Sequence, residues 1–182
     1  MPNWCNNDLI VQGDKTQLNH FVRKAKGIEP QYKLSEDEKK FYTEEMLKPQ
    51  ECELCFNQFV PVPKEILEQG FSTAGYNWQV DNWGTKWGAS VHAFEVCGDT
   101  VAVHFDTAWS PPEKVIMAMS NQFPKLTFSL TYAECGMMFA GKLEVKAGRI
   151  IINEFKDFDD VQEYCDYTGE ENWEEEEELD NA

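Results

Sequence analysis

Long apolar runs are missing from this chain of 182 residues, and none approaches the roughly eighteen residues that read as a membrane span. The opening MPNWCNND carries neither a basic segment nor an apolar one behind it. No signal peptide is therefore expected, and a cytoplasmic location is. Positive charge is also scarce: 16 Lys and Arg stand against 33 Asp and Glu, for a net charge of −17. The deficit is uneven, because residues 157–182 hold thirteen acidic side chains and no Lys or Arg. The first 156 positions are then nearly balanced, with twenty acidic and sixteen basic residues. Phosphate backbones are held by Lys and Arg that displace counterions, so direct nucleic-acid binding is not expected. Acidic tails solvate, repel or touch basic partners.

Cysteine pairing is sparse too. The six cysteines, at 5, 52, 55, 97, 135 and 165, are scattered through the chain. Cys52 and Cys55 form one C-x-x-C pair, half of a zinc knuckle or a redox motif. No second pair and no closely spaced histidines complete it, and the following CFNQFVPVP reads as a strand rather than a helix start. Ordinary reduced thiols are expected, with no metal ligand and no cofactor.

What is present is a run of alternating patterns. Asp8 to Gly13 reads as a first strand. Asp14 and Gln17 then cap a helix whose buried stripe is Leu18, Phe21, Val22 and Ala25, closed by Gly27. Residues 28–50 are charged and bracketed by Pro30 and Pro49, an external insertion with a helix from Glu36 to Leu47 behind a Ser35–Glu38 box. Cys55 to Val62 reads as a strand, and residues 63–69 as a short helix ended by Gly70. Val91 to Asp106 forms a hairpin turning at Gly98-Asp99. A two-residue turn places His92, Phe94, Val96, Val101, Val103 and Phe105 on one apolar face, with Glu95 diagonal to His104 on the other. Ser110, Pro111 and Glu113 are spaced as N-cap, N1 and N3 of a helix that buries Val115, Ile116, Met119 and Phe123. Leu126 to Glu134 alternates as a strand, and a second hairpin turns at Ala147-Gly148, pairing Val145 with Ile150 and Leu143 with Ile152.

The stretch from Trp78 to Gly88, WQVDNWGTKWG, sets three indoles within eleven residues. Gly84 and Gly88 argue against a helix there, each costing about 1 kcal/mol relative to Ala. An aromatic, irregular segment is costly to leave solvated, so two readings stand. Either it plugs the open face of a sheet, or it walls a groove whose polar groups are Asp81, Asn82, Thr85 and Lys86.

Pattern alone gives an α+β domain, an antiparallel sheet with helices packed on one face. The strings MPNW, FVPVP, DNWGTKWG, TAWSPP and YAECGMMFAG, in that order between Met1 and Phe155, are similar to those of the YubB-type ferredoxin-like domain family of phage and plasmid proteins. The resemblance implies one ferredoxin-like domain over residues 1–156 with a helical insertion at 28–50, and a mobile-element origin. The acidic tail at 157–182, which the resemblance does not cover, is expected to be largely disordered beyond one turn at Val161, Tyr164 and Cys165. The resemblance carries over no catalytic residue.

The shared strings gather polar and aromatic residues in loops and strand ends: Asn3, Trp4, Asn82, Trp83, Thr85, Lys86, Trp87, Asp106, Trp109, Tyr132 and Glu134. Converging at one edge, they form either a site or a hydrogen-bonded lattice fixing loops to the sheet. Three functions follow. The first is a non-catalytic protein that binds a host protein or sequesters a small nucleotide-like ligand, in the service of a phage or plasmid, against host defence for instance. The second is an acidic DNA mimic, against which the balanced body argues. The third is a small enzyme drawing on Glu134, Asp106, His104, Lys86 or a processed Pro2 amine, which no spacing ties together. Truncation after Thr168 is expected to leave the thermal midpoint within a few degrees of the full chain, because the segment removed has no apolar periodicity. A collapsed melting transition would mean that Trp173 docks into the body.

Overall fold

A computed structural model describes residues 3–45 and 47–170 of the chain. Met1, Pro2, Met46 and residues 171–182, including Trp173 and most of the acidic run, lie outside the described residues.

Six strands make one antiparallel sheet: β1 (Trp4–Gly13), β4 (Ser90–Cys97), β5 (Thr100–Ala108), β6 (Leu126–Glu134), β7 (Phe139–Lys146) and β8 (Arg149–Asp157), in the order β4-β5-β1-β6-β7-β8. The first four in that order are joined through helices α1 (Lys15–Ala25) and α5 (Glu113–Gln122), which is the βαββαβ arrangement of the ferredoxin-like fold. The β7–β8 hairpin widens the sheet on the β6 side. Between α1 and β4 come a two-residue ribbon, β2 (Gly27–Ile28) with β3 (Glu51–Cys52), and helices α2 (Glu36–Lys39), α3 (Lys64–Gln69) and α4 (Tyr76–Trp83). Helix α6 (Val161–Thr168) is the last element among the described residues. Among the described residues no helix is long and apolar enough to cross a membrane.

One face of the sheet carries the main core. Leu9, Val11, Val103, Phe105, Phe128, Leu130, Leu143 and Val145 alternate inward and meet Phe21 of α1 with Ile116 and Met119 of α5. Phe21 touches the rings of Phe59, Phe123 and Phe128, with centroids 5.6–5.7 Å apart for each pair. Burial of each such ring contributes roughly 1.5–3 kcal/mol. Helix α6 lies on the opposite face, where Phe158, Tyr164 and Cys165 cover Ala140, beside Ala133.

Several local expectations hold. Asp14 accepts from the Gln17 amide at 3.0 Å, and Ser35 and Glu38 close a complete capping box. Gly70 ends α3 at φ 88°. The Gly98 turn aligns Val96 with Val101 and Phe94 with Val103, and Val145 pairs with Ile150.

Others are corrected. Strand β1 begins at Trp4 rather than Asp8, because Asn6 and Asp8 face solvent while Cys5 and Asn7 face the core. The helix after Ser35 stops at Lys39, since none of its residues is buried to extend it. Gly27 opens β2 instead of capping α1, and a Cβ there would meet the Gln58 side chain. Residues 55–62 form a loop with a 3-10 turn at Phe56–Gln58, closed by the Val62 amide donating to Asn57 Oδ1 at 2.8 Å. Helix α5 starts at Glu113, because the Ser110 hydroxyl donates to the Gly84 carbonyl (2.6 Å) instead of capping.

Two β-bulges matter more. A register shift between Val91 and Ala93 turns His92 out of the apolar face, and Val96, at the overhanging hairpin end, is 55% exposed. A second shift between Glu144 and Val145 pairs Leu143 with Asn153 instead of Ile152.

The β7–β8 turn holds Ala147 at φ 51° and Gly148 at φ 70°, both in the left-handed region. An L-residue with a Cβ is strained there by about 1–2 kcal/mol, which Asn tolerates better than Ala. Ala147→Asn should therefore raise stability by roughly 0.5–1 kcal/mol in urea unfolding, with an unchanged denaturant slope.

Candidate functional site

The aromatic stretch folds as a helix followed by a tight reversal. Trp78 and Trp83 lie in α4, and Gly84 (φ 88°) is its left-handed C-cap, so the glycine read as a breaker is the helix stop. Trp83 is fully buried, donates its indole N–H to the Val60 carbonyl at 2.8 Å, and meets Phe56 and Trp78 edge-on. Past the cap, the buried Thr85 hydroxyl donates to Ala108 O at 2.9 Å. The Thr107 hydroxyl donates to Ser110 O at 2.8 Å, and the Trp109 amide donates to Asn3 O at 3.0 Å. The reversal is therefore latched to the end of β5 and the start of β1. Within that latch Trp109 is held at φ 75°, a conformation a bulky residue rarely adopts.

The eleven candidate residues separate into two groups. Trp83, Thr85, Tyr132 and Glu134 are internal: Tyr132 donates to Glu113 Oε1 at 3.1 Å, and Glu134 accepts from the Gly136 and Met137 amides, each at 2.8 Å. Asn82 donates back to Trp78 O at 2.8 Å, closing α4, and Asn3 serves through its carbonyl. Trp4, Lys86, Trp87, Asp106 and Trp109 reach the surface. Trp4 and Trp87 stand with ring centroids 6.1 Å apart, and the Lys86 ammonium lies 4.5 Å from the Trp87 ring and 5.7 Å from that of Tyr76.

That aromatic rim borders the sheet's open face, on which Trp4, Asn6 and Asp8 follow one another along β1. Asp106 accepts from the Asn6 amide at 2.7 Å and lies 2.7 Å from His92 Nε2. His104 Nδ1 is 2.8 Å from Asp8 Oδ1, its cross-strand neighbour on β1, and Glu95 keeps the expected diagonal position on β4. The two imidazoles are 5.5 Å apart. Helix α6 rises over the same face and leaves a cleft of about 700 Å³ between itself and the strands. Asp8, His104, Thr131, Lys142 and Glu154 line its floor, and Tyr167 and Glu170 its α6 side.

A family profile described as "Ferredoxin-like domain in Api92-like protein" matches residues 82–181, more than half of the chain. The chain belongs to that family. The phage and plasmid resemblance read from the sequence strings thus stands. The chain is also similar to a crystal structure of the protein api92 from Yersinia pseudotuberculosis, with 11% identity and a TM-score of 0.65. That likeness covers 88% of this chain and 99% of the other, and it speaks for the fold alone. No curated protein matches the chain significantly.

The family match reaches back only to Asn82, so the latch at Thr85, the Asp106–Trp109 strand end and the Tyr132–Glu134 segment fall within it, while the C-x-x-C does not. Sequence reasoning missed the cleft because its walls depend on α6 folding back over β6 and β7. The available signal was weak: Phe158, Val161, Tyr164 and Cys165 have apolar spacing inside an acidic segment.

Lys86→Ala is expected to change stability by no more than about 0.5 kcal/mol, as a surface substitution. Trp83→Ala should cost about 3–5 kcal/mol, since it removes a packed indole and leaves the Val60 carbonyl without its donor. Urea unfolding of both variants separates the inward from the outward part of the stretch.

Proposed function

We propose that this protein is a non-catalytic binding protein of a phage or plasmid that takes a basic segment of a host protein on the open face of its sheet. The supporting observation is the charge of the cleft. Asp8, Glu154 and Glu170 supply three carboxylates around about 700 Å³, against Lys142 and the imidazole of His104. Carboxylates gathered in a concave site attract Lys or Arg side chains and repel phosphates, so an anionic nucleotide fits it poorly. Trp4, Trp87 and the Lys86 stem offer the amphipathic aromatic surface that anchors protein partners at the rim. The Asp106 and Asp8 carboxylates fix His92 and His104, so the face is preorganised on rigid strands.

Charge swaps on the cleft floor test this reading. Glu154→Lys should weaken binding to Lys- and Arg-containing peptides about three- to tenfold at low salt, and Lys142→Glu should strengthen it by a similar factor. Both effects should shrink as ionic strength rises. Fluorescence anisotropy with labelled basic and acidic peptides provides the measurement. Equal affinities for wild type and both variants, or a preference for acidic peptides or nucleotides, would overturn the proposal.

A further inference from the structure

The C-x-x-C pair, read from the sequence as ordinary thiols, has a third neighbour. Glu29, just after β2, comes down beside Cys52 at the end of β3 and Cys55 at the start of the 3-10 turn. One carboxylate oxygen and the two sulfurs all lie within 4.8 Å of one another. We propose that Glu29, Cys52 and Cys55 bind a thiophilic divalent cation of the zinc class, which clasps the base of the excursion 30–51 to the body.

Donor geometry supports this. Ligand distances of about 2.3 Å to sulfur and 2.0–2.2 Å to oxygen place tetrahedral neighbours somewhat under 4 Å apart, so only a small contraction is needed. Two thiolates and one carboxylate select a borderline-soft cation over magnesium or calcium, which prefer oxygen alone. The site is sheltered: Cys55 is buried, and Cys52 and Glu29 are half-buried. Burial pushes the Glu29 carboxyl above its ordinary range, and the Cys52 contact offsets only part of that. The neighbouring Cys52 thiol lowers the pKa of Cys55, whereas the same contact and burial raise that of Cys52. A bound cation would stabilise all three groups in their charged forms.

The surroundings make sense of a clasp. The β2–β3 ribbon has two residues on each strand, too little pairing to hold an excursion of this length by itself. Its ties to the body include the Cys55 amide donating to Ala25 O at 2.7 Å. The Cys52 and Cys55 thiols contact the carbonyls of Gly27 and Ile28, contacts that metal–sulfur bonds would replace as the thiol protons leave to solvent. A cleft lined by Lys26, Ile28, Cys52 and Glu53 opens beside Cys52, and water entering there would complete the tetrahedron. Gly88 explains how Glu29 enters: a Cβ at 88 would stand 2.6 Å from its carboxylate oxygen.

Cobalt(II) titration of the reduced, metal-free full chain is the test. One equivalent should produce a sulfur-to-cobalt charge-transfer band and the intense visible bands of a four-coordinate ion, and zinc should bleach both. Cys55→Ser and Cys52→Ser should abolish the charge-transfer band. Glu29→Gln should keep it while weakening binding at least about tenfold, and Gly88→Ala should weaken binding by displacing that carboxylate. Far-ultraviolet circular dichroism separates loss of binding from loss of fold. On the wild type, zinc but not magnesium should raise the thermal midpoint and slow proteolysis within 30–51. Absence of the band in folded wild type, or equal binding by the Cys55→Ser variant, would overturn the proposal. So would a reduced chain that takes no metal and cycles only between dithiol and Cys52–Cys55 disulfide.

Discussion

Trp83 stands where the separately built parts of the molecule meet. Its indole closes the end of α4, its N–H holds the 56–62 loop through Val60 O, and its edge packs on Phe56, which in turn meets Phe105 of the sheet. A buried indole needs one hydrogen-bond acceptor and space for a large apolar body. Here the acceptor comes from a segment with little regular structure of its own. The loop is shaped by the ring it partners, and Pro61 and Pro63 fit because no sheet ladder asks for their amides. The reversal at Gly84 then follows, and Thr85 and Ser110 tie it to the β5 end. Without that anchor, neither the aromatic rim nor the seat of Glu29 would have a fixed position.

The two faces of the sheet are held by different physics. The core face is apolar and covered by α1, α4 and α5. The other combines carboxylates, imidazoles and amides paired across strands, and α6 covers it only over β6 and β7. Small side chains make that cover possible: Ala133 and Ala140 are cross-strand partners, low enough for Tyr164 and Phe158 to pack above them. Where the alanines give way to Thr131 and Lys142, the helix no longer meets the sheet, and the cleft opens there.

Much of the fold was legible because its signals are local. Alternation along Leu126–Glu134, the Asp14 and Ser35 caps and both hairpin turns each involve residues a few positions apart, and the structure keeps them. Two of the misreadings share one cause: a residue's local preference was taken up by a distant partner. Ser110 has the spacing of a cap, but its hydroxyl donates to Gly84 O. Residues 55–62 have the composition of a strand, but Trp83 claims the Val60 carbonyl. The bulges at His92 and Ile151 each insert one residue into a period of two, which no count along a single strand can detect. One such insertion turned His92 from an expected core residue into a partner of Asp106 on the open face.

Plug and wall were posed as alternatives for the Trp78–Gly88 stretch, yet its geometry divides the two roles by position. The helical part sends Trp83 inward. The left-handed cap at Gly84 reverses the chain, so that Lys86 and Trp87 emerge beside Trp4 at the rim. Two residues beyond the buried Thr85, the chain is already at the surface, and Gly88 has no side chain because the Glu29 carboxylate occupies that space. Each position thus answers to a different neighbour: the core, the open face, and the cysteine pair. A helix continued past Trp83 would turn residues 84–88 through successive 100° steps around one axis and could not meet all three. The glycine cap, which looks from sequence like an interruption, is the device that lets five consecutive residues serve separate surfaces.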